Sequence, residues 1–163
     1  MALEEVREPG GIFTQQESTT TFPFGGRPTI KNSGNKAVVI IVDDEPSITQ
    51  LYSLILRKAG YRVQKTFFNG FDVVEYFRKN STGIEHNINI IVIMDQMMPK
   101  MDGVTAAAKL RQLKEDLKIV AASAYRLSPQ EVSLFDRILR KPFSSEELVE
   151  TVSSLVMAEK VNS

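Results

Sequence analysis

The stretch Ile90-Ile91-Val92-Ile93-Met94-Asp95 is the strongest indication of the fold, because it is an apolar run that ends abruptly on a carboxylate. A run without the alternation of a half-exposed strand is typical of a strand buried on both faces. Asp95 then lies where this strand leaves the core. In an open α/β sheet, ligands bind at the carboxyl ends of the strands. The stretch therefore predicts a central parallel strand with a candidate functional residue at its end.

A second apolar run, Ala37 to Val42, ends in the same way on Asp43 and Asp44. Two such strands would bring three carboxylates to one edge of a sheet. Carboxylates that lie close together raise each other's pKa, and a hard divalent cation with oxygen ligands removes that penalty. Mg²⁺ suits such a site because it keeps waters and shares phosphate oxygens. A carboxylate can also act as a nucleophile and form an acyl phosphate.

Composition narrows the class of protein. The 163 residues suffice for one domain with a core plus a tail, and lysines plus arginines balance aspartates plus glutamates at 20 each. This balance gives no overall basic field for nucleic acid or anionic lipid. Without cysteine there is no disulfide framework or thiolate metal site. No signal-peptide core or membrane-length apolar stretch is present, so we expect a soluble, cytoplasmic protein.

Strand and helix patterns alternate from Lys36 onward. Residues 1–35 are rich in glycine, proline and threonine and are predicted to be a flexible tail, followed by one folded domain at 36–158 and a C-terminal end at 159–163. The predicted strands are 36–42, 61–67, 88–94, 117–122 and 137–140. The predicted helices are 46–59, 71–80 and 104–114, then a short fourth helix and a last helix, each opened by a capping box, at Ser128–Glu131 and Ser144–Glu147.

Five β/α units with buried strands predict a doubly wound parallel sheet with helices on both faces. Five chemistry-bearing residues fall at the carboxyl ends of four of its strands: Asp43, Asp44, Asp95, Ser123 and Lys141. A single Asp at a strand end is usually a helix cap or a turn residue, as we expect for Asp102. The whole set is harder to assign to turns. With a metal, the lysine and hydroxyl would neutralise the oxygens of a transferring phosphoryl group.

Four segments of the chain resemble the receiver domain of two-component response regulators. They are Ile40–Pro46, Met94–Gly103, Ala122–Ala124 and Lys141–Phe143, in this order and at compatible spacing. The resemblance covers residues 36 to about 158. It implies a flavodoxin-like sheet with the strand order 2-1-3-4-5, an arrangement for which a chemotaxis receiver is a known example.

The resemblance also implies residue roles. Asp95 would accept a phosphoryl group from a histidine kinase or a phosphotransfer protein. Mg²⁺ would be held at Asp95 by Asp44 directly, by Asp43 through water, and by the backbone carbonyl of Met97.

Three further roles follow from the same resemblance. Lys141 would pair with Asp95 and then with the phosphate, and a cis bond before Pro142 would direct Lys141 into the site. Ser123 would turn to hydrogen-bond the phosphate and so report its arrival.

The sequence departs from the family at two places. Ile138 stands where the family has an inward-turning aromatic residue, and Tyr125 is our candidate substitute for that switch. Only residues 124–140 separate Ser123 from Lys141, which predicts a shortened fourth helix and weakens the case for a dimer through that surface. Met97 and Tyr125 are bulky and carry no carboxylate or amide to orient water. We therefore expect slow self-dephosphorylation and no enzymatic activity proper.

Competing functions remain open at this point. A degenerate receiver would act as an unphosphorylated interaction scaffold. A haloacid-dehalogenase-type aspartyl-phosphate phosphatase would need a second Asp where Met97 stands, and a flavodoxin-like cofactor binder would need a Ser/Thr/Gly-rich phosphate loop after the first strand. For the receiver, output would run through a downstream signalling protein. Neither direct DNA binding nor membrane attachment is expected.

Overall fold

The computed structural model describes residues 37–80 and 89–158. The predicted tail at 1–35, the polar loop before the third strand with His86, and the predicted end at 159–163 lie outside the described residues. The strands are β1 Val38–Val42, β2 Arg62–Phe67, β3 Ile90–Asp95, β4 Lys118–Ser123 and β5 Arg137–Arg140. The helices are α1 Pro46–Lys58, α2 Gly70–Lys79, α3 Gly103–Leu113, α4 Pro129–Val132 and α5 Ser145–Ala158.

All five strands pair in parallel in the order β2-β1-β3-β4-β5. β1 and β3 are therefore neighbours, with Val42 opposite Met94. β3 also pairs with β4, with Asp95 opposite Ala122. This order confirms the predicted doubly wound, flavodoxin-like sheet. The chain order changes direction between β1 and β3, which is the place where sheets of this type bind ligands.

The core forms two layers, one on each face of the sheet. Successive strand side chains point to opposite faces, so β1 sends Val39 and Ile41 to one layer and Ile40 and Val42 to the other. Helices α1 and α5 cover the first layer, and α2 and α3 cover the second. Because both layers are closed by helices, every residue of β1 and β3 is buried. This burial explains why their sequences are continuous apolar runs.

Side-chain caps begin three of the helices, at the residues that the sequence predicts. Asp102 caps α3 by accepting a hydrogen bond from the backbone N–H of Thr105 at 2.8 Å. Reciprocal capping boxes open α4 at Ser128 and α5 at Ser144. Among the described helices, none is long and apolar enough to cross a membrane.

Helix α4 is as short as predicted, with four residues, none of which is buried. The chain then reaches β5 through Phe135, which is buried, and Asp136. Arg111 of α3 anchors this passage: its guanidinium donates to Asp136 Oδ2 at 2.6 Å and to the carbonyl oxygens of Leu117 and Leu134. The hydrogen bonds of Arg111 thus hold the segment between α4 and β5 against α3.

Candidate functional site

Three side chains meet at the carboxyl edge of the sheet. The ammonium nitrogen of Lys141 lies 2.6 Å from Asp95 Oδ1 and 3.0 Å from Asp43 Oδ2, so it bridges the two carboxylates. The other oxygen of each carboxylate accepts a backbone hydrogen bond, from Glu45 N at 3.0 Å and from Met97 N at 2.8 Å. Both acids are therefore held in a defined orientation.

The sheet order produces this meeting. Asp43 follows Val42 and Asp95 follows Met94, and those two residues are paired across β1 and β3, so the acids lie side by side. Lys141 follows β5, two strands from β3 or about 10 Å away at the usual strand spacing. Its long side chain crosses the end of β4, where Ala122 and Ser123 are small. The peptide bond between Lys141 and Pro142 is cis.

Burial and charge act in opposite directions on this cluster. Burial raises the pKa of Asp43 above its ordinary value, although the Glu45 N–H and Lys141 partly offset the effect. Burial by itself would lower the pKa of Lys141, but the hydrogen bonds and charges of Asp95 and Asp43 raise it above its ordinary value. Lys141 is consequently a permanent cation beside a carboxylate pair.

The predicted third carboxylate is placed differently. Asp44 is exposed, whereas the side chains of Asp43 and Asp95 are only 4% and 11% exposed. Within the described ranges, no three acidic, histidine or cysteine side chains form a ready metal cage. Lys141 lies between the two buried acids, and Asp44 points to solvent beside them in sequence.

The donors at this edge nevertheless fit Mg²⁺. The carboxylate oxygens of Asp43, Asp44 and Asp95 are hard ligands. The backbone N–H of Met97 donates to Asp95 Oδ2, which places the backbone of Met97 next to this acid. The methionines near the site have different surroundings: Met94 is buried, Met98 and Met101 pack against the core, and Met97 is 65% exposed.

In the described residues, the hydroxyl of Ser123 is hydrogen-bonded to Tyr125 and not to Asp95. Ser123 is buried, and its hydroxyl donates to the Tyr125 carbonyl at 2.9 Å and accepts from the Tyr125 N–H at 3.1 Å. The Tyr125 ring is 63% exposed, and Ile138 packs against the core on the α2–α3 face. Of the two proposed switch residues, Tyr125 therefore lies on the surface and Ile138 lies against the core.

Two residues at the site were missed from the sequence. A Cβ on Gly103 would lie 2.2 Å from the Asp95 carbonyl oxygen, so only glycine lets α3 approach the end of β3. Its place after the capping Asp102 was the available signal. Arg140 donates to the Tyr125 carbonyl at 3.3 Å, and nothing in the local sequence signals that contact.

The fold and this site define an α/β protein with a lysine-bridged pair of acids at the topological switch of a parallel sheet. The family model described as the response regulator receiver domain matches residues 39–153, and the chain belongs to that family of two-component systems.

Two known proteins resemble this chain over most of their own length. The chemotaxis protein CheY of Treponema pallidum is 31% identical over 140 residues, which cover 82% of this chain and 90% of the relative. The response regulator TrrA of Thermotoga maritima, solved in complex with Mg²⁺ and beryllium fluoride, is 31% identical with a TM-score of 0.63, covering 73% of this chain and 98% of TrrA.

Some relatives are longer. The DNA-binding regulator RpaA of Synechocystis is 29% identical over 124 residues, and the match covers 72% of this chain but only 48% of RpaA. The shared part is therefore the receiver unit, and the DNA binding in that name describes RpaA.

Proposed function

We propose that this chain is a phosphorylation-switched receiver in which Asp95 is the phosphoryl acceptor. The observation that carries the proposal is the orientation of Asp95 at the end of the central strand, with one carboxylate oxygen 2.6 Å from Lys141 Nζ and the other 2.8 Å from Met97 N. A carboxylate held in this way beside a permanent cation is prepared to receive a group that carries negative charge.

In the proposed reaction, a carboxylate oxygen of Asp95 attacks the phosphorus of a phosphohistidine on a histidine kinase or phosphotransfer protein. A P–O bond forms, the P–N bond breaks, and the electron pair returns to the histidine nitrogen. Lys141 then transfers its hydrogen bond from the carboxylate to a phosphoryl oxygen. The nearby Asp43 stays paired with Lys141 during this change.

Asp43, Asp44, Asp95 and the Met97 carbonyl are the residues that would hold Mg²⁺. The bound cation supplies positive charge to the phosphoryl oxygens and offsets the repulsion between the acids. The likeness to TrrA, whose solved complex contains Mg²⁺ and beryllium fluoride, supports this part of the proposal.

The proposed partners are a phosphoryl donor and a downstream signalling protein. Phosphorylation adds charge at a buried edge and biases the arrangement of the adjoining loops, which a partner can read. We also propose that the protein works in the cytoplasm, contacts neither DNA nor membrane directly, and is no enzyme beyond slow loss of its own phosphoryl group.

The direct test is incubation with acetyl phosphate and Mg²⁺, read by intact mass. We expect a phosphoryl adduct on the wild-type chain and none on Asp95→Asn. Asp102→Asn is the matched control, because it changes an acid in the following loop whose capping role asparagine can keep. An adduct that survives in Asp95→Asn would overturn the proposal.

One observation favours a second candidate, an unphosphorylated scaffold. Ile138 packs against the core in place of the aromatic residue that the family resemblance leads us to expect. The same experiment separates the two functions: absence of both the adduct and Mg²⁺ binding would favour the scaffold.

A further inference from the structure

The Tyr125 carbonyl receives two hydrogen bonds from different parts of the chain. Ser123 Oγ donates to it at 2.9 Å within the loop after β4, and Arg140 Nη1 donates to it at 3.3 Å from the end of β5. Arg140 is also the strand partner of Ser123 in the β4–β5 register. Through this carbonyl, the loop after β4 is hydrogen-bonded both to Ser123 at the end of β4 and to Arg140 at the end of β5.

Ser123 has only one hydrogen to donate. A serine hydroxyl carries a single O–H donor, and here that donor is used on the Tyr125 carbonyl. To donate to a phosphoryl oxygen on Asp95, Ser123 must release Tyr125. Its own backbone need not move, because its carbonyl accepts a hydrogen bond from Lys141 N at 2.9 Å. Rotation of the side chain alone then leaves Tyr125 O with one donor fewer.

We propose that Arg140 is a positioning residue that keeps the Tyr125 carbonyl bonded when Ser123 turns toward the occupied Asp95. This inference rests on the proposed function and deepens it. A guanidinium presents five donors and a carbonyl oxygen accepts two, so Arg140 can hold the loop without a new partner. Arg140 lowers the cost of the serine rotation, because a carbonyl that has lost its donor would otherwise oppose it.

The arrangement also offers an account of Ile138. An aliphatic side chain packed against the core cannot follow Ser123, whereas Arg140 on the same strand is exposed and already donates to the Tyr125 carbonyl that Ser123 releases. The coupling between site and surface therefore runs through a backbone carbonyl and a guanidinium. It changes the environment of exposed Tyr125 and Arg140, which a partner protein can contact.

The experiment measures the affinity of the full chain for beryllium fluoride in the presence of Mg²⁺ by ¹H–¹⁵N NMR. Arg140→Ala should weaken binding by about two- to fivefold, the range for an exposed hydrogen bond, and Arg140→Lys should recover part of the loss. Arg137→Ala is the matched control. Arg137 is an exposed arginine of the same strand that donates to the Asp136 carbonyl, and its loss should leave the affinity unchanged.

A double-mutant comparison separates positioning from a merely structural role. In the Ser123→Ala background, Arg140→Ala should cause no further loss, because no hydroxyl leaves the Tyr125 carbonyl. An equal loss in that background, or unchanged or tighter binding in Arg140→Ala alone, would overturn the inference while leaving the receiver function intact. Failure of the wild-type chain to bind beryllium fluoride with Mg²⁺ would instead remove the proposed function and this inference together.

Discussion

The two sides of the site are built in opposite ways. On the β1–β3 side, both strands are entirely buried, and the two acids have all four carboxylate oxygens engaged by Lys141 and backbone N–H groups. On the β4–β5 side, α4 has no buried residue, Tyr125 is exposed, and a few hydrogen bonds hold the loop.

Under the proposed function, this difference separates the side that carries out the phosphoryl chemistry from the side that a partner reads. An acceptor carboxylate must keep its orientation, and buried neighbouring strands provide that at the high-stability end of the structure. A signal must move something, and a segment with little buried apolar surface moves at low cost. Four sets of substitutions test this contrast, in decreasing order of the stability loss that we expect.

Gly103→Ala should give the largest loss of stability. The new Cβ would lie 2.2 Å from the Asp95 carbonyl oxygen, so α3 or the end of β3 must shift, at a cost of more than about 3 kcal/mol in the free energy of unfolding. Gly60→Ala is the control: φ is +90° there but no atom lies within 4 Å, and backbone strain alone should cost about 1 kcal/mol. Equal losses in urea unfolding would contradict the close approach at Asp95.

Arg111→Ala should have the next largest effect and lower the free energy of unfolding by about 2 kcal/mol or more, because it removes the donors to three backbone carbonyls and to Asp136. Lys118→Ala removes only a 3.8 Å contact to the same carboxylate and should cost much less. If the two variants unfold at the same denaturant concentration, the passage into β5 does not depend on the Arg111 anchor.

Lys141→Met should cost about 1–2 kcal/mol at neutral pH, because two buried carboxylates lose their shared cation. The pKa of Asp43, already raised by burial, should rise further. Since the folded state then binds the proton more tightly than the unfolded state, stability should increase as pH falls through that raised pKa.

The checks for Lys141→Met are the carboxyl titration by ¹³C NMR and urea unfolding at several pH values. Lys109→Met, on the exposed face of α3, should show neither change. A stability loss in Lys141→Met that stays constant with pH would contradict the electrostatic account.

The two capping boxes should give the smallest and most direct comparison. Ser144→Ala removes the cap of α5, whose Leu148 and Val152 are fully buried, and should cost about 1 kcal/mol of global stability. Ser128→Ala should cost less than about 0.5 kcal/mol globally, because α4 buries nothing, while exchange of the backbone amides of residues 130–132 should become faster. Equal global losses would mean that α4 is integral to the core.

Much of the fold follows from the sequence alone. The run ending at Asp95, the run ending at Asp43, the two capping boxes and the short interval after Ser123 predicted the sheet, the helix starts and the reduced α4. These features are local: burial on both faces demands apolar runs, and a cap needs only residues within one turn. The domain limits at 36–158 and the assigned site roles remain predictions, while the family match covers 39–153.

The connections between these side chains depend on the tertiary structure. The contact between Lys141 and Asp43 joins residues 98 positions apart, and Arg111 reaches Asp136 across 25. The hydroxyl of Ser123 donates to the Tyr125 carbonyl, and Arg140 donates to the same carbonyl. Asp44 is exposed. Sequence patterns determine which residues arrive at the edge of the sheet. Which of these residues form hydrogen bonds with one another depends on their rotamers and on the few donors near each oxygen. Both are set by the packing of the folded chain.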